Sequence, residues 1–166
     1  MTTPAITPDE VRGLVLAAIE RIWNANDWST APETYNEHVV VHVPFQEQPI
    51  RGREEFRAFH EALHIAFPDW HATIESAVAE GDTVAMRWTI RGTSVGPFMG
   101  FPPTGKSFVT DEAVFARLGP DRMGAEFWFF VNEADIARQL GLMPSGPPPK
   151  ALILAMRLRQ RLRRGK

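Results

Sequence analysis

Residues 83–93 read TVAMRWTIRGT, and apolar and polar side chains alternate along this stretch. One set of alternate positions is apolar and consists of Val84, Met86, Trp88 and Ile90. The other set consists of Ala85, Arg87, Thr89 and Arg91. Because successive side chains of a strand point to opposite faces, this period of two predicts a strand with one buried face. The tripeptide Glu80-Gly81-Asp82 directly before it predicts a tight turn from a preceding strand.

Strand patterns also occur on both sides of this stretch. The other ranges that we predict as strands are residues 38–43, 70–79, 106–118 and 123–132. The turn residues Gly119-Pro120-Asp121 join the last two, and a loop rich in glycine and proline covers residues 96–105. Four consecutive strands connected in this way predict an antiparallel meander.

Helical patterns complete the fold prediction. Thr7-Pro8-Asp9-Glu10 is a capping box, in which the side chains of Thr7 and Glu10 accept hydrogen bonds from each other's backbone, with Pro8 at the first helical position. The helix that starts there is predicted to extend to Trp23. The other predicted helices cover residues 29–35, 53–67 and 133–140. Because helices and the strand meander are segregated along the chain, the fold class is α+β.

Length and composition restrict the kind of protein. The chain has 166 residues, which corresponds to one domain at about 100–200 residues per domain. Its 44% hydrophobic and 23% charged residues exclude disordered, collagen-like and coiled-coil chains. The absence of cysteine excludes a disulfide framework, a thiolate nucleophile and cysteine-bound iron–sulfur or zinc sites. We see no secretory signal pattern and no apolar run long enough to span a membrane, and we expect a cytoplasmic protein.

Charge is distributed unevenly along the chain. Residues 150–166 carry seven basic groups and no acid, whereas residues 1–149 carry 11 basic and 20 acidic groups, a net charge of −9. We expect a domain over residues 1–143, followed by a proline-rich linker and a basic C-terminal helix over residues 144–166. An apolar stripe of Leu154, Leu158 and Leu162 lies beside arginines in that helix. We expect it to dock on the acidic body or on a dimer mate, with membrane contact as the alternative, and the acidic body argues against nucleic-acid binding.

Several segments have an order and spacing typical of one known family. They are Gly52-Arg53-Glu54-Glu55-Phe56, Ala66-Phe67-Pro68-Asp69, Ala79-Glu80-Gly81-Asp82, residues 87–93 (RWTIRGT), residues 98–106 (FMGFPPTGK) and Gln139-Leu140-Gly141. Together they resemble the SnoaL-like polyketide cyclases and ester cyclases of the nuclear-transport-factor-2-like superfamily. The resemblance implies a cone-shaped, curved antiparallel sheet wrapped around N-terminal helices, a deep apolar pocket between them, and a homodimer. Activities known in the family include cofactor-free aldol ring closure of polyketides and, in other relatives, opening of epoxides.

The resemblance points to the last predicted strand, where residues 126–132 read EFWFFVN. Relatives often have a histidine where this chain has Phe127, and an aspartate where it has Asn132. An amide can bind a carbonyl or hydroxyl group but does not exchange a proton at neutral pH, so the usual acid/base group of aldol closure is missing at this position. The epoxide-opening relatives need a carboxylate where this chain has Phe130, although Arg87 can stand for their arginine.

Other acid/base candidates follow from strand patterns. Asp111 and Glu112 are adjacent in a strand, so one faces the pocket and the other faces solvent, and the pattern leaves open which. An acid buried among aromatic rings has a raised pKa and can act as a proton shuttle. His42 corresponds to a histidine that often lines the cavity of relatives, and imidazole titrates near neutral pH. We therefore predict a catalytic group of His42, Asp111, Glu112 and Asn132, with Asn132 and His42 facing the same cavity.

A larger set of residues is predicted to bind the substrate. It consists of Tyr35, Phe56, Phe59, His60, Arg87, Trp88, Met99, Trp128 and Phe130. Arg87 and Trp88 point to opposite faces, so at most one lines the pocket, and Arg87 either pairs with an acid such as Asp111 or binds a substrate carboxylate. His60 and His64 have a spacing that can bind metal, but no third ligand completes a motif, so we expect them to flank the core. We predict neither a metal nor a cofactor.

These patterns support three functions. The first is a cofactor-free cyclase or isomerase of specialised metabolism that acts on a hydrophobic, oxygen-bearing small molecule in an apolar pocket. The second is a non-catalytic small-molecule binding protein that kept the pocket and lost the acid. The third is a structural dimer whose basic tail recruits a partner. An inward-pointing carboxylate or histidine favours the enzyme, and an entirely apolar cavity favours binding.

Overall fold

The computed structural model describes residues 6–144 and residue 146. The α-helices in this part of the chain are α1 (Pro8–Ala18), α2 (Ala31–Thr34), α3 (Arg53–Ala66) and α4 (Glu133–Gln139). The strands are β1 (Tyr35–His42), β2 (Ile50–Arg51), β3 (His71–Glu80), β4 (Thr83–Thr93), β5 (Ser107–Leu118) and β6 (Gly124–Phe130). This order confirms the predicted α+β class. The predicted basic C-terminal helix lies outside the described residues.

The strands form one six-stranded sheet in the order β2-β1-β6-β5-β4-β3. The meander from β3 to β6 is antiparallel, as the sequence predicts. The predicted curved antiparallel sheet has one parallel pairing, between β1 and β6, with Val41 opposite Phe127, so the sheet is mixed. Helix α3 connects β2 to β3, which lies at the opposite edge of the sheet. The meander then runs back across the sheet, and its last strand, β6, lies beside β1 and runs in the same direction as β1. Register shifts in β1, β3 and β5 bend the strands and curve the sheet.

Helices α1 and α3 cover one face of this sheet, which we call the inner face. On β4 its residues Val84, Met86, Trp88 and Ile90 are buried, as the alternation in residues 83–93 predicts. Val11 and Val15 of α1 and Phe56 of α3 pack into the same core. We call the opposite side the outer face. An apolar stripe on each helix and an apolar face on the sheet are buried against each other, which gives the domain its two layers.

The first helix differs from its prediction in one respect. The capping box is present, with the Thr7 N–H donating to Glu10 Oε2 at 2.8 Å and the Glu10 N–H donating to Thr7 Oγ1 at 3.3 Å. The α-helix ends at Ala18, and the chain continues as a π-helical turn over Ile19–Asn24. A π-turn leaves backbone carbonyls without partners within the helix, and His60 of α3 donates to the carbonyl oxygen of Ile22 at 2.9 Å.

Two further details complete the described fold. Strand β2 has only two residues, which is too short for an alternation to indicate it in the sequence. In the described part of the chain, no helix is both long enough and apolar enough to span a membrane.

Candidate active site

A cavity of about 260 Å³ lies between α1 and the inner face of the sheet. Its walls are mostly apolar and include six aromatic residues, Trp23, Tyr35, Phe56, Trp88, Phe127 and Phe129. Of the residues predicted to bind the substrate, the cavity therefore contains Tyr35, Phe56 and Trp88. Arg21, Glu33 and Arg122 add charged groups to the lining. A largely apolar cavity with a few polar groups has the composition of a small-molecule site.

Tyr35 provides a fixed polar group in the wall of this interior cavity. Its hydroxyl oxygen accepts a hydrogen bond from Trp23 Nε1 at 2.9 Å, and burial raises the pKa of the phenol. Tyr35 is buried in the wall, with its ring 5.1 Å from that of Phe56. A phenol that stays protonated can donate a hydrogen bond to a ligand oxygen but is no base at neutral pH.

Glu112 and Trp88 place a carboxyl group and an indole N–H next to each other on the inner face. They are register partners on β5 and β4, and the residues on either side of Glu112 in its face of β5, Thr110 and Val114, are buried. Burial raises the pKa of Glu112 to about 7, and the Trp88 side chain opposes this rise as a hydrogen-bond donor. This opposing effect is weak, because the buried Trp88 Nε1 makes no hydrogen bond of ordinary length in the described part of the chain. Of the two adjacent acids, the structure thus places Glu112 on the inner face.

Asp111 and Arg87 lie together on the outer face. Arg87 Nη1 lies 3.7 Å from Asp111 Oδ1, and Arg87 Nη2 lies 4.0 Å from Glu75 Oε2. Thr89 Oγ1 donates to Asp111 Oδ1 at 2.9 Å. Arg87 therefore pairs with an acid, which was one of the two predicted alternatives, and Trp88 is the member of the Arg87–Trp88 pair that lines the interior cavity.

An open depression of about 740 Å³ lies where β1 and β6 end. It is bordered by His42, Arg87, Asp111, Glu112, Trp128, Phe130 and Asn132, all from the predicted site. β6 pairs with β5 only as far as Phe130 opposite Ala113, so residues from both faces of β5 border the depression. Phe129 lines the depression as well as the interior cavity, so the two features adjoin at this residue.

His42 does not face the interior cavity, and its predicted orientation is wrong. Its ring lies on the outer face, stacked on Trp128 with centroids 5.4 Å apart, and its Nε2 lies 2.9 Å from Glu126 Oε1. Arg117 and His42 together hold the pKa of Glu126 below its usual value. The predicted orientation fails because Val39 and Val41, which alternate with His42, fill the core.

Asn132 is exposed and begins α4, so its predicted place inside the cavity is also wrong. Its side-chain oxygen accepts a hydrogen bond from the Asp135 N–H at 3.3 Å and caps the helix. Asn132 and His42 border the same depression, but this depression opens to solvent instead of enclosing a ligand.

Trp128 and Phe130 lie on the outer face, whereas Phe127 and Phe129 line the interior cavity. The sequence therefore predicts the wrong face of β6. Both faces of this strand are aromatic, so alternation does not distinguish them. The one local signal for the inner face is Gly124: a Cβ atom there would lie 2.5 Å from the Phe127 ring and 3.0 Å from the Tyr35 ring. This close approach requires glycine.

His60 and His64 are core residues, as the sequence favours. Their ring centroids lie 4.5 Å apart, and His60 also packs on Trp23 and Trp28. Burial, with a smaller contribution from His64, lowers the pKa of His60 to about 4, and burial also lowers the pKa of His64. Both imidazoles are therefore neutral at pH 7. His60 Nδ1 and His64 Nε2 have no hydrogen-bond partner among the described residues.

The last two predicted substrate-binding residues lie away from the interior cavity. Phe59 packs against Phe45 and Phe98, with ring centroids 6.2 Å apart in both pairs. Met99 lines a second apolar pocket beneath the loop that follows β4. Among the described residues, no group of three or more His, Asp or Glu side chains has an arrangement suited to a metal ion.

Comparison with known proteins identifies the family to which the chain belongs. A model of the SnoaL-like polyketide cyclase family matches residues 13–140. The chain belongs to the SnoaL-like polyketide cyclase family. This confirms the resemblance that the sequence motifs indicate. A comparison with curated proteins finds no match.

Several solved structures share the fold of this chain. AclR from Streptomyces galilaeus, provisionally called a hydroxylase, is 25% identical over 96% of this chain and 98% of AclR, with a TM-score of 0.71. IdmH from Streptomyces antibioticus, provisionally called a polyketide cyclase, is 28% identical over 82% of this chain and 99% of IdmH, with a TM-score of 0.67. A SnoaL-like protein from Jannaschia is 23% identical over 89% of this chain and 100% of its own, with a TM-score of 0.74. These likenesses confirm the nuclear-transport-factor-2-like fold.

Two positions in and after β6 where the resemblance leads us to expect polar acid/base groups have other roles in the structure. Phe127 occupies the position where the resemblance expects a histidine, and its ring packs against Tyr35 at 5.6 Å and Phe56 at 6.1 Å inside the cavity. Asn132 occupies the position of the expected aspartate and caps α4. Among the four predicted catalytic residues, Glu112 alone lies on the inner face, so the acid/base candidate comes from β5 instead of β6.

Proposed function

We propose that the protein is a cofactor-free cyclase or isomerase that transfers protons on a hydrophobic, oxygen-bearing small molecule of the polyketide type. The observation that carries this proposal is that Glu112 and Trp88 are register partners on the inner face, where the buried Trp88 indole N–H has no hydrogen-bond partner among the described residues. One group exchanges a proton and the other donates a hydrogen bond. Catalysis of ring closure requires both kinds of group.

A cycle with these two groups needs no further reactant. Ionised Glu112 removes a proton from the carbon next to a substrate carbonyl, and the Trp88 N–H stabilises the enolate oxygen. The enolate carbon then forms a carbon–carbon bond with a second carbonyl carbon. Glu112 returns the proton to the alkoxide that forms, so the reaction is an isomerisation. A pKa of about 7 supports this role, because both protonation states of Glu112 are populated near neutral pH.

The aromatic cavity wall provides shape instead of further chemistry. Trp23, Phe56, Phe127 and Phe129 present flat apolar surfaces that favour a compact conformation of a flexible substrate. In this proposal the reacting carbonyl group lies beside Trp88, and the carboxyl group of Glu112, the register partner of Trp88, reaches it past the edge of the Phe129 ring, which lines both the cavity and the depression.

Exchange of carbon-bound hydrogen tests this proposal without knowledge of the substrate. We expect the protein to accelerate the incorporation of deuterium from D₂O at the carbon next to the carbonyl of 1-tetralone, a bicyclic aryl ketone. Mass spectrometry measures the rate of incorporation. Glu112→Gln should reduce the acceleration by about 100-fold or more, as is typical for loss of an acid/base group. Asp111→Asn is the matched control, because this adjacent acid lies on the outer face and should leave the rate unchanged.

A second function is a non-catalytic binding protein, which the apolar lining and the Phe127 substitution favour. Trp23 and Trp88 both line the cavity, so binding of 1-tetralone should change tryptophan fluorescence. Binding with no deuterium exchange above the buffer rate would support this second function and contradict the enzyme.

We further propose a homodimer in the cytoplasm that associates through the outer face of the sheet. Phe115 and Phe130 are 43% and 57% exposed there, with ring centroids 5.8 Å apart. The Arg87–Asp111 and Arg117–Glu126 pairs flank them with both signs of charge. A patch that combines apolar rings with both charges is self-complementary, as a two-fold interface requires.

A further inference from the structure

A second apolar pocket, of about 150 Å³, lies between the loop after β4 and helix α4. Its lining includes Phe45, Phe67, Phe98, Phe108, Ile136 and Leu140. It shares no lining residue with the interior cavity, so it is a separate feature of the domain. Its walls contain few polar groups, and an apolar occupant suits it.

The rim of this pocket exposes apolar side chains on a strained turn. The Phe98 and Phe101 backbones exchange hydrogen bonds of 3.0 and 2.9 Å around Met99 and Gly100, whose φ angles are 50° and 83°. Two left-handed residues form the turn type that normally takes Asn-Gly, and a methionine there costs on the order of 1 kcal/mol. As a result Met99 and Phe101 are 41% and 56% exposed at the rim.

The chain itself leads from this pocket to an apolar segment. Leu142 lines the pocket, and the exposed Met143 follows it. Gly146 is four residues after Leu142, which restricts it to within about 14 Å of that residue. Residues 151–162, with the stripe of Leu154, Leu158 and Leu162, begin five residues later. Such a short linker keeps the segment near the pocket at a high effective concentration.

Charge favours the same contact. Residues 150–166 carry seven basic groups, whereas residues 1–149 have a net charge of −9. Glu133, which lines the pocket, contributes one of the acids at its edge. Attraction between the segment and the body adds to the burial of leucine side chains.

We propose that residues 151–162 dock on the second pocket of their own chain, with the leucine stripe against the pocket and the Met99–Phe101 rim. The occupant is this segment and not a second copy or a membrane. The contact closes an apolar surface that the described residues leave open.

The absence of cysteine allows a direct test in the full chain, because any introduced pair is the only one present. We expect Phe101→Cys/Leu154→Cys to form an intramolecular disulfide at least ten-fold faster than the control pair Val78→Cys/Leu154→Cys. Val78 is exposed on β3 and does not line the pocket. Equal rates for both pairs, or a disulfide-linked dimer as the main product, would overturn the proposal.

A second measurement does not depend on disulfide formation. Leu154→Asp/Leu158→Asp in the full chain should lower the melting temperature by a few degrees and increase the fluorescence of a bound apolar dye several-fold. Arg159→Gln/Arg163→Gln is the matched control and should have a smaller effect on both. Unchanged melting and dye binding in the leucine variant would contradict docking. So would sedimentation of the full chain with phosphatidylserine-containing vesicles, if removal of residues 147–166 abolished sedimentation without changing the melting temperature.

Discussion

Glu112 on β5 lies directly opposite Trp88 on β4, and both residues belong to the inner face of the sheet. The carboxyl group is therefore held in an aromatic environment, where its charged form is poorly solvated. Burial raises its pKa to about 7, and the weak interaction with the indole N–H does not offset this. The pairing makes Glu112 the proton-transfer group of the proposed function, and it has consequences for stability that do not require a substrate.

Glu112→Gln should change how stability depends on pH. The pKa of Glu112 is about 7 in the folded protein, above its ordinary value of 4.5, so its contribution is fully present below pH 4.5 and is lost as pH rises through 7. The loss amounts to roughly 3 kcal/mol, and the glutamine variant should lack it. Urea unfolding at pH 5 and pH 8, followed by tryptophan fluorescence, measures the difference. Asp111→Asn should keep the wild-type dependence, and a pH-independent wild type would exclude the raised pKa.

His60 should produce the opposite dependence. Its pKa is lowered to about 4 from 6.5, so its contribution to stability is present above pH 6.5 and is lost as pH falls through about 4. His60→Gln keeps a donor for the Ile22 carbonyl but does not titrate, so its unfolding free energy should fall less between pH 6.5 and pH 4. The exposed His38→Gln is the control. The same acid slope in His60→Gln and wild type would show that His60 is not buried in the neutral form.

Phe129→Ala should connect the interior cavity with the outer depression, because Phe129 lines both. We expect acrylamide to quench the fluorescence of Trp23 and Trp88 more strongly, since their rings lie 6.2 and 5.9 Å from the Phe129 ring. The truncation should also cost about 3 kcal/mol of stability through the cavity it leaves. Phe130→Ala, on the outer face, should leave quenching unchanged. Equal quenching in both variants would mean that Phe129 is not the barrier.

Gly124→Ala should destabilise the protein by about 1–3 kcal/mol, because the new Cβ would lie 2.5 Å from the Phe127 ring in the cavity wall. Gly13→Ala is the matched comparison. Gly13 lies in α1, where a new Cβ would have no neighbouring atom within 4 Å, so alanine there should stabilise the helix by about 0.5–1 kcal/mol. Thermal melting of both variants measures the contrast, and a tolerated Gly124→Ala would contradict the packing of Phe127 against β1.

Phe115→Asp/Phe130→Asp should dissociate the proposed homodimer. Both side chains are exposed on the outer face, so a charge there should disrupt an interface without disturbing the core. Ile65→Asp introduces the same charge at an exposed site on α3 and should leave the mass unchanged. Sedimentation velocity of the three proteins gives the result. A wild type that sediments as a monomer would refute the dimer.

Local chemistry explains why much of the fold can be predicted from the sequence. The capping box at Thr7 and Glu10 needs only four consecutive residues, and the structure contains both of its hydrogen bonds. The bounds predicted for β4 agree with the structure, because large apolar side chains alternate there with a set that includes Arg87 and Arg91. The parallel pairing of β1 with β6 was not predicted, because it joins strands that are distant in sequence.

Strand alternation is a local property, so the sequence was sufficient to show that Asp111 and Glu112, and likewise Arg87 and Trp88, face opposite sides of the sheet. Which member of each pair faces inward became clear only from the folded chain. The inward-facing side of β6 and the orientation of His42 likewise became clear only from the folded chain. β6 is aromatic on both faces, and β1 places Val39 and Val41 in the core, so His42 lies on the outer face. The inner face is defined by where α1 and α3 pack, and that depends on contacts between segments that no local pattern contains.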